Sequence, residues 1–293
     1  MTRRDFAALL CCLPAASQNK PGYAEIRKLL DGRNLRIVPF SHVDWAWVNS
    51  RAWMVRRHAI VLSEVLDLLK TTPDFRFYIE QWNEQMEPFL DRKPERADEM
   101  RRAIQAGKVE ACGGVTNQHP GWMESESLVR DMVMGRRLFR EFAPGLNLDV
   151  MIHADVTPGS SQMPQILRKA GYRYYRIHRP DQGLTAQGLP IDFIWKGLDG
   201  TELLTSRGFA CGFIAADSLP EDFASHWEHE VETLYKNEIA RQFEAKTQAP
   251  VWMPLGCDDS RPMRHWHATM ADGHVAERLL PVPELIRKWN END

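Results

Sequence analysis

Three short stretches of this chain gather the residue types that bind metal ions and move protons. The first is His42-Val43-Asp44. Residues two apart on an extended segment point to one side, so an imidazole and a carboxylate can converge on one ion, and that mixed donor set suits zinc. Taken alone, the triplet equally describes a structural histidine satisfied by a hydrogen bond. Trp45-Ala46-Trp47 follows at once and sets aromatic faces beside the proposed ion, as in a sugar subsite. The second stretch is His153-Ala154-Asp155, again closing an apolar strand. Asp155 stands where a nucleophile belongs: a rim carboxylate can attack an anomeric carbon, and by also ligating a metal it stays rigid and ionised. The alternative for Asp155 is the N-cap of a following turn. The third is Asp258-Asp259, after Val251-Trp252-Met253 and Pro254-Leu255-Gly256-Cys257. Two adjacent carboxylates cannot both ionise freely in a dry site, so one of them suits a general acid, although an acidic surface turn reads the same way. Retaining glycosidases hold two carboxyl groups about 5–5.5 Å apart. Asp155 with Asp259 is the natural pair, with Asp258 in reserve.

The elements that must carry these groups alternate between two periodicities. After a helical stretch at Tyr23–Leu30, residues Leu35–Phe40 read as a buried strand running into His42. Helical spacing of apolar residues follows over Met54–Leu69, stopped by Thr72-Pro73-Asp74. Strands are predicted at Phe75–Ile79, Val109–Cys112, Asp149–His153 and Tyr174–His178, and helices at Glu95–Ala106, Ser127–Phe142 and Gln162–Ala170. A βαβα rhythm implies a parallel sheet with helices outside it, and short spacing over so many repeats favours a (β/α) barrel. Parallel barrels place their chemistry at the carboxyl ends of the strands, which is where the two HxD triplets fall.

Composition narrows the partners. Hydrophobic residues at 43 % and charged residues at 26 % describe a globular chain with apolar surface enough for a core. A net charge of -3 supplies no broad positive field, which argues against a nucleic acid or anionic membrane partner. Beyond the N-terminus no segment approaches the roughly 18 apolar residues that span a bilayer. Arg3-Arg4, the apolar run Ala8–Ala16 and small residues at Ala15 and Ser17 read as a twin-arginine leader over residues 1–17, giving an exported mature protein over 18–293. The alternative is a frayed cytoplasmic N-terminus. Removing a leader leaves Cys112, Cys211 and Cys257, an odd number with no CxxC spacing, so neither a disulfide framework nor a cysteine zinc site is expected.

In their order along the chain, from about Arg36 to Arg261, these segments resemble glycoside hydrolase family 38, the α-mannosidases. Ser41-His42-Val43-Asp44-Trp45-Ala46-Trp47 is similar to the family's first motif; Gly113-Gly114 with Glu126-Ser127-Leu128-Val129-Arg130 is similar to its next block; and Asp155 to Gln165 keeps the spacing from nucleophile to a helix-opening Pro-Gln. The resemblance implies a seven-stranded, irregular (β/α) barrel of parallel strands with outer helices. It implies one zinc ion per chain held by His42, Asp44 and Asp155, with Asp155 also the nucleophile. Trp47 and Arg179 become substrate contacts, and the Asp258-Asp259 pair carries the acid/base. Phe193–Gly197 with Asp199-Gly200 fits as a hairpin. Three departures stand out. Asn117, Gln118 and His119 occupy the place of an acidic sugar contact, Pro158-Gly159 alters the loop after the nucleophile, and Cys257 is inserted before the acid/base pair. The family's fourth zinc ligand, a histidine, comes from beyond this region, and its downstream helical and β domains are expected to be absent here; His265, His267 and His274 lie in no matching motif.

The expected activity is zinc-dependent, retaining, exo-acting hydrolysis of an α-mannoside. Two alternatives are a metal-dependent carbohydrate deacetylase, which would release acetate, and a sugar-binding barrel remnant, which would bind mannose without cleaving it.

Overall fold

Of the 293 residues, the structure, a computed structural model, describes 35–44, 47, 49–72, 75–190, 192–207 and 251–255, and at 35–38, 181, 182, 185 and 251–255 the backbone alone. The leader reading at 1–17, the helix at Tyr23–Leu30 and the Asp258-Asp259 pair lie outside the described residues.

β1 (Leu35–Pro39) leads into the first HxD triplet, and α1 (Arg51–Thr71) follows. The buried residues of α1, among them Met54, His58, Leu62, Val65 and Leu66, recur at three- and four-residue steps and turn one stripe inward. Ser50 caps it, its hydroxyl accepting from the Trp53 amide at 3.3 Å. β2 (Phe77–Ile79) is buried throughout. A π-helical turn at Trp82–Met86 and the short helix α2 (Glu87–Arg92) then intervene, neither of them predicted. Pro88 opens α2, where a missing N–H costs nothing. The chain continues through α3 (Ala97–Gln105), β3 (Val109–Ala111), α4 (Ser125–Phe142), β4 (Val150–His153), α5 (Met163–Ala170), β5 (Tyr174–Ile177), α6 (Asp181–Ala186), β6 (Asp192–Lys196), β7 (Glu202–Arg207) and β8 (Val251–Leu255).

The α/β class and its order match the sequence reading, whereas the closed seven-stranded barrel does not emerge among the described residues. Their strands form three sheets: β1 with β8 and β2 with β3, both parallel, and β4-β5-β7-β6. Backbone groups past the ends of β2 and β3 are taken elsewhere. The Glu80 amide donates to the Gln85 side chain at 2.7 Å, and the Gly114 carbonyl accepts from the Trp82 amide at 3.3 Å. The all-parallel expectation fails at β6, which runs antiparallel to β7 because a turn too tight for a crossover joins them, closed by the Gly197 amide on the Thr201 carbonyl at 2.8 Å. The hairpin read at Phe193–Gly200 is therefore present.

Packing draws the strand ends together without a continuous ladder. Phe40, Tyr78, Cys112, Ile152 and Ala154, contributed from the ends of β1, β2, β3 and β4, form one buried cluster. The Phe40 and Tyr78 rings stack with centroids 5.1 Å apart and planes 7° from parallel. One larger core unites α1, β2 and β3 through residues such as Leu62, Phe77 and Val109, and another unites α4, α5, β4, β5 and β7 through Met132, Leu167 and Tyr175. The carboxyl ends of successive strands thus share one rim. No helix among the described residues is long and apolar enough to cross a membrane.

Candidate functional site

His42, Asp44 and Asp155 meet on that rim. One donor atom of each lies within 4.8 Å of the other two, and His42 Nε2 is 3.7 Å from Asp44 Oδ1. Three donors at about 2.0–2.2 Å from one zinc ion stand no more than about 3.8 Å from each other, so the His42–Asp44 pair already fits and the widest separation in the set needs to close by up to roughly 1 Å. One imidazole and two carboxylates also make the right donor chemistry for a divalent cation.

His42 is buried, with Nδ1 donating to Glu80 Oε2 at 2.9 Å. Burial alone would depress its pKa, but the carboxylates of Glu80 and Asp44 outweigh it and raise the imidazole well above its usual range. Asp155 is held differently. Its backbone adopts φ 53°, alone among the described non-glycine residues in the left-handed region, a conformation that costs a residue with a Cβ about 1 kcal/mol or more. Arg179 stabilises that turn by donating from Nε to the Asp155 carbonyl at 3.1 Å and to Oδ1 at 2.8 Å, with Nη2 bonded to the same Oδ1. Arg179, read from the sequence as a substrate contact, is thus placed on the carboxylate itself. His178 Nδ1 lies 3.6 Å from Asp155 Oδ1.

His153 of the second triplet does not join the cluster. Strand alternation turns its side chain into the core, where Nδ1 bonds the Tyr175 hydroxyl at 2.6 Å, and that hydroxyl donates to the Pro158 carbonyl at 3.2 Å. Burial, with His119 nearby, pushes its pKa down to about 3, so it stays neutral. Trp47 is 72 % exposed on the rim. Asp258 and Asp259 lie outside the described residues.

One group was missed in the sequence. Glu80 reaches the site from the end of β2, and its only sequence signal is a polar pair, Glu80-Gln81, closing an apolar strand. Asn117, read from the sequence as standing in place of an acidic sugar contact, donates from Nδ2 to the Ala154 carbonyl at 2.7 Å and so braces the loop that carries Asp155. Beyond it, Trp122 is 82 % exposed and stacks on His119, centroids 4.3 Å apart.

Behind the rim two carboxyls are buried. Burial pushes Glu84 up to about 7, opposed by the Asn83 side chain and assisted by Asp131; burial pushes Asp131 up to about 6 against hydrogen bonds from Thr116 and Val115.

Comparison with known proteins gives a consistent picture. Residues 33–292 match the model of the glycosyl hydrolases family 38 N-terminal domain. Human alpha-mannosidase 2C1 is 28 % identical over 165 residues, covering 56 % of this chain and 16 % of that protein. The alpha-mannosidase of Saccharomyces cerevisiae is 28 % identical over 166 residues, covering 56 % of this chain and 15 % of its own length. The crystal structure of an alpha-mannosidase from Enterococcus faecalis superimposes with a TM-score of 0.64 at 20 % identity, covering 87 % of this chain and 29 % of that one, a likeness of fold. This chain therefore spans less than a third of each of these relatives.

Proposed function

The chain belongs to glycosyl hydrolase family 38, and from that premise we propose that it carries the catalytic unit of a zinc-dependent, retaining α-mannosidase. The observation that carries the reading is the convergence of His42, Asp44 and Asp155 on one point of the rim. The alpha-mannosidase names of the relatives supply the sugar. In the same reading the described strands belong to an irregular seven-stranded barrel, and residues 1–17 are an export leader.

His42, Asp44 and Asp155 would hold the ion, which when bound supplies a positive centre for adjacent hydroxyls of a terminal mannose. Asp155 attacks the anomeric carbon; the bond to the leaving oxygen breaks as the bond to the Asp155 carboxylate forms. Arg179, fastened to the carbonyl and Oδ1 of Asp155, keeps that carboxylate aimed. Asp259 gives its proton to the leaving oxygen, then takes one from the water that releases the sugar, so configuration at the anomeric carbon is kept. The exposed indole of Trp47 offers a face to the apolar side of the ring.

The test is an aryl α-mannoside assayed with the purified chain as isolated, after chelation, and after zinc is restored. Hydrolysis lost on chelation and recovered with zinc, with α-mannose as first product, is expected. Hydrolysis indifferent to chelation overturns the zinc reading, and mannose binding without release of the aryl group overturns catalysis.

A further inference from the structure

We propose that Glu80 is the positioning residue that makes His42 a metal ligand, an assignment that rests on the metal-dependent reading above. Glu80 follows β2 directly, and its side chain is 1 % exposed. Its Oε2 accepts from His42 Nδ1 at 2.9 Å and from the Val43 amide at 3.4 Å. A carboxylate has only acceptors, so the proton of a neutral imidazole must sit on Nδ1. The lone pair is then on Nε2, the nitrogen that faces Asp44 Oδ1 at 3.7 Å. The opposite tautomer would present an N–H to the ion and could not bind it. A carboxylate behind the ring also raises the basicity of the ligating nitrogen.

The surroundings fix Glu80 in turn. Its amide and that of Gln81 donate to Gln85 Oε1 at 2.7 and 3.4 Å, and Gln85 Nε2 donates to the Ser41 carbonyl at 3.0 Å. One side chain from the π-helical turn therefore ties the segment after β2 to the residue preceding His42. At the end of β3, Gly113 has φ +109°, and a Cβ there would stand 1.9 Å from the Glu80 carbonyl oxygen. Only glycine lets β3 close on this backbone. The other carboxylate oxygen, Oε1, is buried with no hydrogen-bond partner among the described residues, where the carboxylate's bonds are those to His42 and Val43. Leaving a buried acceptor unmade is costly, and a side chain kept only to fill space would be better apolar.

The experiment measures zinc affinity by competition with a chromophoric chelator, without reference to turnover. Glu80→Gln keeps the size and an acceptor but loses the charge and can turn its amide NH2 towards Nδ1. Its zinc affinity is expected to fall about 10- to 100-fold, with a changed visible spectrum of the cobalt-loaded protein. Affinity within threefold of the parent chain, with the same cobalt spectrum, overturns the assignment. A second measurement needs no variant: nitrogen-15 shifts of the zinc-loaded parent should show His42 protonated on Nδ1, and protonation on Nε2 overturns it. Failure of the parent chain itself to bind zinc sinks the metal reading, an outcome distinct from equal binding by parent and variant.

Discussion

Replacing Glu84 by glutamine should stabilise this protein at alkaline pH and leave it nearly unchanged at acid pH. Glu84 is 7 % exposed, its Oε2 is buried with no hydrogen-bond partner among the described residues, and its pKa rises from 4.5 to about 7, chiefly through burial. The sign follows from proton counting. Between those values the folded protein keeps the proton while the unfolded chain releases it, so the folded state binds more protons and stability falls as pH rises, the full penalty being present above about 7. At about 1.4 kcal/mol per pH unit, the gap sets a penalty on the order of 3 kcal/mol at pH 8. Asp131, raised to about 6, adds a smaller loss of the same sign that the variant retains. Glutamine is a neutral isostere of the protonated acid and escapes the Glu84 part. For a chain of this size that corresponds to a gain of roughly 5–10 °C in Tm at pH 8, shrinking towards zero near pH 4.5. The assay is thermal unfolding of parent and variant across pH 4.5 to 8. An offset that stays constant over that range would refute the argument, because it would mean that Glu84 titrates alike in the folded and unfolded chain.

The catalytic assignment predicts that Asp155→Asn lowers kcat on an aryl α-mannoside by about 10⁴-fold while far-UV circular dichroism is unchanged; retained turnover would remove Asp155 from the reaction. Arg179→Ala releases both the carbonyl and Oδ1 of Asp155, so kcat should fall about 10- to 100-fold with zinc affinity held within about threefold. Arg179→Lys should not restore it, because a single ammonium cannot reproduce the fork. Gly135→Ala places a Cβ 2.3 Å from the carbonyl carbon and 2.5 Å from the Cα of Gly114, backbone that cannot step aside. A loss of about 3 kcal/mol by denaturant titration is expected, and an unaltered midpoint would show that α4 can move away from β3 at little cost.

Periodicity and punctuation carried much of this fold. Apolar residues at helical steps made α1 legible, and short apolar runs located β1 to β5 within a residue or two. Local chemistry likewise made His42, Asp44 and Asp155 readable as metal and nucleophile candidates, because residues two apart on a strand share a side. The same local rule could not tell His153 from His42, since each opens an HxD triplet. Which of them faces the rim depends on the neighbouring strand: Tyr175 receives His153 in the core, while Glu80 meets His42 from β2. The π-helical turn at Trp82–Met86 is held by the carbonyls of Gly114 and Val115, some thirty residues on, and has no local signature. Sequence alone determined which residues could do the chemistry, because residue type and spacing fix donor identity and the side of a strand. Tertiary structure alone decided that Arg179 grips Asp155, that Asp155 takes a left-handed turn, and that Glu80 orients His42, because each depends on groups brought together from strands far apart in the chain.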